Sequence, residues 1–160
     1  MIFEIKRKIE KKQEDKKNVS FFDQAALVTH SIQLNNGTTP DQNEKAEQIL
    51  EDWANSLGIS KEELKQQMVK DTQSKIYHNT ADEKFTFIDL FAGIGGFRLA
   101  MQAYGGKCVF SSEFNPKAQT TYYHNYGEVP FGDITNPEVK DKVPADFDVV
   151  CGVFPSKRSR

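Results

Sequence analysis

The stretch Asp89-Leu90-Phe91-Ala92-Gly93-Ile94-Gly95-Gly96-Phe97 decides how this 160-residue chain is read. It continues a short apolar, aromatic-rich run, Phe85 to Phe91, of the kind that forms a buried strand. Phe97, Leu99, Ala100, Met101 and Ala103 then give helical character, and Gly105-Gly106 ends that helix. The glycines between them fall at the carboxyl end of a first strand, where parallel sheets bind ligands. Glycine there permits positive φ and close approach of backbone to a ligand. Twenty residues after Gly93 comes Glu113, at the end of a second strand read over Lys107 to Ser111. A carboxylate in that place can accept hydrogen bonds from both ribose hydroxyls of an adenosine. A glycine turn beside an exposed glutamate is the plainer alternative. The order strand, glycines, helix, strand, acid favours a nucleoside site.

The kind of nucleoside follows from what is missing. The dinucleotide fingerprint needs a third glycine where Arg98 stands, and no Gly-Lys-Ser/Thr follows to make a phosphate loop. Asp89, two residues before Phe91, would repel a pyrophosphate but could face a cationic cofactor. S-adenosylmethionine carries a sulfonium and an ammonium, so the local charge favours it.

The elements further along keep the alternation. Asn115 is a plausible cap with Pro116 at the first helical position, and Gly127 ends that helix after about Tyr126. Val129 to Phe131 reads as a short third strand, Asn136-Pro137 opens a short helix, and Phe147 to Cys151 is the next strand. Strands alternating with helices predict an α/β fold with a parallel sheet of about four strands and one open edge.

Four stretches then resemble, in order, the DNA cytosine-C5 methyltransferases. Phe87-Ile88-Asp89-Leu90-Phe91-Ala92-Gly93-Ile94-Gly95-Gly96 looks like the first signature of that family. Ser112-Glu113-Phe114-Asn115 resembles its ribose and adenine element, and Gly132-Asp133-Ile134-Thr135 its adenine-edge element. Asp148-Val149-Val150-Cys151-Gly152-Val153-Phe154-Pro155 resembles the strand leading into the catalytic loop. The resemblance covers about residues 85–155 and implies a partial Rossmann-like, S-adenosylmethionine-dependent methyltransferase sheet. It implies that Phe91 and Phe114 pack on the adenine, and that Gly93 and Gly95 let the backbone approach the methionine part. Glu113 would bind the ribose, Asp133 would accept from the adenine amino group, Ile134 would pack beside the ring, and Pro155 would line the methyl-donor pocket. The bland alternative makes Phe91, Phe114 and Ile134 core residues only. DNA is the implied partner, and a restriction–modification role is one candidate.

The catalytic loop departs from the family. Its nucleophilic cysteine follows Phe-Pro, but here Phe154-Pro155 is followed by Ser156. A serine hydroxyl is hardly ionised near neutrality, whereas a thiol titrates at about 8.5. Cys151 lies within the predicted strand and reads as a small buried hydrophobe. The ending Ser156-Lys157-Arg158-Ser159-Arg160 is what a one-base deletion after the proline codon of Phe-Pro-Cys-Gln-Ala-Phe-Ser would encode. The expectation is therefore a truncated, frameshifted fragment, inactive alone. One half of a split enzyme completed by a second chain, and a non-catalytic binding protein, are the alternatives.

Residues 1–84 form a polar helical extension outside the resemblance, and residues 85–160 an incomplete methyltransferase domain. The boundary is placed in the polar stretch 78–84. Ile2, Ile5 and Ile9 share a helix face; the charged run Lys6 to Lys17 is a solvated helix or frayed arm, or a basic arm against phosphates. Ser20 caps a helix carrying Phe22, Ala25, Ala26 and Ile32 inward, Asn35-Asn36-Gly37 is a turn, and Pro40 sits just before the next helix. That helix carries Ala46, Ile49, Leu50, Trp53 and Leu57, stops at Gly58, and is followed by a Ser60/Glu63 capping box with Leu64 and Met68 inward. A helix-turn-helix reading meets Glu62 and Glu63 at the recognition-helix start, which phosphates would repel, so packing or interaction is the plainer role. At 38% hydrophobic and 28% charged residues the composition suits a globular protein. No run of about 18 apolar residues and no secretory leader is present, which makes the cytoplasm the default location. Cys108 and Cys151 suggest neither a disulfide scaffold nor a zinc site, and His30, His78 and His124 give no metal or triad pattern.

Overall fold

The computed structural model of the chain describes residues 1–10, 20–34, 39–75 and 82–153. The readings placed on residues 11–17, 35–37, 78–81 and 154–160, Pro155 and Ser156 among them, lie outside the described residues. Among the described residues four helices come first: α1 (Ile2–Glu10), α2 (Phe21–Gln33), α3 (Pro40–Leu57) and α4 (Lys61–Gln73). Then follow β1 (Phe85–Leu90), α5 (Gly96–Ala103), β2 (Gly106–Ser112), α6 (Pro116–Tyr126), α7 (Pro137–Lys140) and β3 (Val149–Gly152).

Local chemistry sets most of these boundaries. The side chain of Ser20 caps α2, Thr39 caps α3 with Pro40 as its first residue, and Ser60 caps α4 by accepting from Glu63 N–H at 3.1 Å. Asn115 and Asn136 cap α6 and α7, each followed by proline. Gly58 and Gly127 close α3 and α6 in the left-handed conformation, at φ 74° and 73°.

The sheet is parallel, in the order β2-β1-β3, with Asp89 opposite Ser111 on one side and Cys151 on the other. The expected strand at Val129 to Phe131 is instead a single parallel bridge, Ser112 to Phe131. Pro130 has no N–H to donate, and Val129 N–H is taken by the Thr29 hydroxyl of α2 at 3.0 Å. Among the described residues the sheet therefore has three strands, rather than the four expected, in an alternating α/β arrangement. No helix among the described residues is long and apolar enough to cross a membrane.

One hydrophobic cluster joins the helices to the sheet. It runs from Ile2, Val28, Leu50 and Trp53 to Ile88 and Phe131. Trp53 is buried in it, stacks on Phe21 and donates its indole N–H to Gln24. Tyr123 of α6 meets Phe3 edge-on, 5.5 Å between centroids, and donates its hydroxyl to Asp71 of α4.

Candidate functional site

Three parallel strands end side by side, and the residues that follow them meet at that edge. Leu90 pairs with Ser112 and with Gly152, so Phe91, Glu113 and Val153 emerge together. The bridge to Phe131 brings Asp133 to the same edge, and Glu113 N–H donates to Phe131 carbonyl at 2.8 Å.

Glu113 ties the first two strand ends together. Its Oε2 accepts from Gly93 N–H at 2.8 Å, and its Oε1 from Asn115 N–H at 2.8 Å. Each oxygen keeps a further lone pair. The glycine loop itself is held in an unusual conformation. Phe91 has φ 56°, the only non-glycine residue among those described with a positive value, and Gly93 and Gly95 follow at 57° and 95°. A bulky residue in that region costs of order 1–3 kcal/mol and persists only where its surroundings hold it. A Cβ on Gly93 would meet nothing nearer than Phe91 carbonyl at 4.0 Å, so that side of the loop is open to an approaching group. Gly95 is different, because the Tyr126 ring fills its open side and a Cβ would sit 2.0 Å from Cε2.

Phe114 is 69% exposed and so is not part of the core, whereas Phe91 is half-buried. Asp133 is exposed; its Oδ1 accepts from Thr135 N–H at 2.8 Å, and hydrogen bonding from Thr135 holds its carboxyl below the usual range. Ile134 packs half-buried against the hydrophobic cluster. These residues form an open edge. A cleft of about 260 Å³ lies elsewhere, where Arg98, Gln102 and Tyr126 meet Gln33 of α2 and Thr72 of α4.

Two residues stand differently from their sequence reading. Asp89 does not face the open edge: it has no exposed surface, and neither carboxylate oxygen has a hydrogen-bond partner. His30 is not scattered among polar residues but is 1% exposed, against Phe131 with ring centroids 4.4 Å apart. Its Nδ1–H donates to Ala26 carbonyl at 2.9 Å, which leaves Nε2 to accept from Ser111 N–H at 3.3 Å. Burial outweighs the pull of Glu128 and holds the imidazole below its ordinary pKa, so it is neutral.

Beneath the loop lies an ion pair that sequence reasoning missed. Arg98 of α5 is 5% exposed and Glu128 0%, with Nη1 to Oε1 at 2.9 Å. Ser111 hydroxyl donates to the same oxygen at 2.7 Å. Burial pushes the Glu128 carboxyl up, but Arg98 and the Ser111 hydrogen bond outweigh it and hold it below its ordinary range. The remaining guanidinium donors reach Gln102 at 2.7 Å, Tyr122 at 3.1 Å and Gln33 at 2.7 Å. The one signal in the sequence is a lone charge inside the apolar run Phe97-Arg98-Leu99-Ala100-Met101.

Among the described residues no group of three or more His, Cys, Asp or Glu is placed to hold a metal. Both cysteines are buried, and burial pushes both thiols above their ordinary pKa.

Residues 85–157 match the family described as C-5 cytosine-specific DNA methylase. The Type II methyltransferase M.HpaII of Haemophilus parainfluenzae is 63% identical over 73 residues, 46% of this chain and 20% of that protein. M.MspI of Moraxella sp is 56% identical over 71 residues, 44% of this chain and 16% of that protein. M.BsuFI of Bacillus subtilis is 49% identical over 96 residues, 55% of this chain and 23% of that protein. The chain thus spans about a fifth of the length of the curated relatives it matches. The similarity to the C-5 cytosine-specific DNA methylase family thus runs through residues 85–157 and takes in the glycine loop and the strand-end carboxylate.

Proposed function

We propose that the strand-end edge binds S-adenosylmethionine, in a protein of cytosine-C5 DNA methylation. The observation that carries this is Glu113, whose carboxylate spans the first and second strand ends by holding Gly93 N–H and Asn115 N–H. That tie fixes the loop and leaves one lone pair on each oxygen for a ribose diol. The open side of Gly93 and the exposed ring of Phe114 fit a nucleoside with a methionine arm. When bound, the cofactor supplies an electrophilic methyl group.

The chain's own residues position that group. Phe91 and Phe114 would flank the adenine, Asp133 would accept from its amino group and Ile134 would close one side of the ring, while the family resemblance alone would assign Pro155 to the methyl-donor pocket. DNA is the substrate in this reading, and the cytoplasm its location. Ser156 occupies the place of the family's nucleophilic cysteine, so the chain by itself forms no covalent bond to cytosine C6 and methylates nothing. Val150 and Val153, 56% and 58% exposed on and beside β3, favour a second reading in which another polypeptide completes the enzyme.

Titration calorimetry of the 160-residue chain with S-adenosylhomocysteine tests the site. Wild type binds, and Glu113→Ala loses at least about tenfold in affinity, the order expected for a charge-assisted pair. A wild-type chain that produces no binding heat overturns the reading. A transfer assay on DNA, with and without added cell extract, separates an inactive chain from one that a partner completes.

A further inference from the structure

The N-terminal helices reach the glycine loop through one side chain. Gln33, the last residue of α2, accepts from Arg98 Nη2 at 2.7 Å and donates from Nε2 to Tyr126 carbonyl at 2.7 Å. Each partner acts on the loop. Arg98 belongs to α5, which starts at Gly96, the residue after Gly95. Tyr126 donates its hydroxyl to Gly95 carbonyl, and its ring fills the space that a side chain on Gly95 would need. The guanidinium also lies over the Tyr126 ring, 4.8 Å from its centroid. A single amide therefore bridges the guanidinium of the helix that follows Gly95 and the residue whose ring and hydroxyl cover Gly95.

We propose that Gln33 is a positioning residue for the cofactor loop, so that the N-terminal helices are a working part of the site. The physical reason is the number of acceptors a buried guanidinium requires. Arg98 is 5% exposed, and Glu128 and Gln102 satisfy only part of its donor set. With Gln33 gone, Nη2 loses its acceptor and Tyr126 loses the donor that fixes its carbonyl. Both α5 and the aromatic ring then gain freedom, and the loop between them loosens without any change in the core. A second link, Thr29 hydroxyl accepting from Val129 N–H at 3.0 Å, holds α2 in register with the segment that carries Glu128. That link would survive a substitution at Gln33.

The proposal rests on the cofactor reading above but is tested apart from it. Gln33→Met keeps the volume and removes the amide. Amide hydrogen exchange is followed at residues 92–99 and at Leu50 in α3, in the ligand-free chain. The expected result is exchange about tenfold faster at 92–99 with Leu50 unchanged, the mark of local loosening. Unchanged exchange at 92–99, or the same acceleration at Leu50, overturns the proposal. Calorimetry with S-adenosylhomocysteine on the same two proteins is the second arm. Wild type binds and Gln33→Met binds about fivefold more weakly, the cost of a less preorganised site. Local loosening with no wild-type binding leaves the positioning role standing and removes the cofactor reading. Wild-type binding with identical affinity in the variant overturns the positioning role alone.

Discussion

Asp89 is the residue whose chemistry is most at odds with its surroundings. It lies on the central strand, has no exposed surface, and has no hydrogen-bond partner for either oxygen. Burial pushes its carboxyl up to about 7; Arg98 pulls against that shift and Glu128 adds to it. The unfolded chain would release this proton near 3.8. Between those values the folded state holds a proton that the unfolded state has lost, so this contribution to stability falls as pH rises from about 4 to about 7 and is flat above. Asp89→Asn removes the titration while keeping the shape. Its stability relative to wild type should rise by about 2–4 kcal/mol between pH 4 and pH 8, the free-energy equivalent of the shift. Urea denaturation of both proteins across that range measures it. Parallel curves would show that Asp89 ionises normally. The glycines and Glu113 were legible one by one because each is required by a local backbone geometry. The burial of Asp89 was not, because it depends on strands on both sides and on the distant Arg98.

At the scale of the element, α5 inverts the usual helix pattern. Phe97 and Leu99 are 40% and 44% exposed, while Arg98 between them is 5% exposed. The inversion holds because Glu128, Gln102, Tyr122 and Gln33 all meet the guanidinium. Two substitutions should therefore behave opposite to their hydrophobicity. Arg98→Met leaves the buried Glu128 carboxylate without its cation and should cost about 3–5 kcal/mol. Leu99→Ser removes an exposed side chain and should change stability by less than about 1 kcal/mol. Chemical denaturation midpoints decide between them, and a larger loss for Leu99→Ser would mean that the helix faces the other way. Helix ends were readable because caps are local: Ser20, Ser60, Asn115 and Asn136 each act within three residues. The buried face of α5 was not, since its partners lie up to 65 residues away in sequence. Phe131 forms a bridge rather than a strand for the same reason, a contact from α2 taking the neighbouring N–H.

Over the whole molecule, the composition change near residue 80 and the packing tell different things. Composition reports mainly on surfaces, which are polar before that point and less so after it. The core crosses it: Leu50 and Trp53 of α3 belong to the same cluster as Ile88 of β1 and Phe110 of β2. A shared core makes helices and sheet unfold together, since exposing one apolar face exposes its partner. Leu50 is 0% exposed, so Leu50→Ala should cost about 2–5 kcal/mol through lost burial and the cavity left behind. The chain's one tryptophan, Trp53, reports on the helices by fluorescence, while amide exchange at Ile88 and Phe110 reports on the sheet. Leu50→Ala should lower the urea midpoint at Trp53 and the protection of Ile88 and Phe110 by the same free energy. If only the Trp53 signal moved, the helices would be an independent unit, and the contacts through Gln33 and Tyr123 would be docking between two bodies rather than parts of one core.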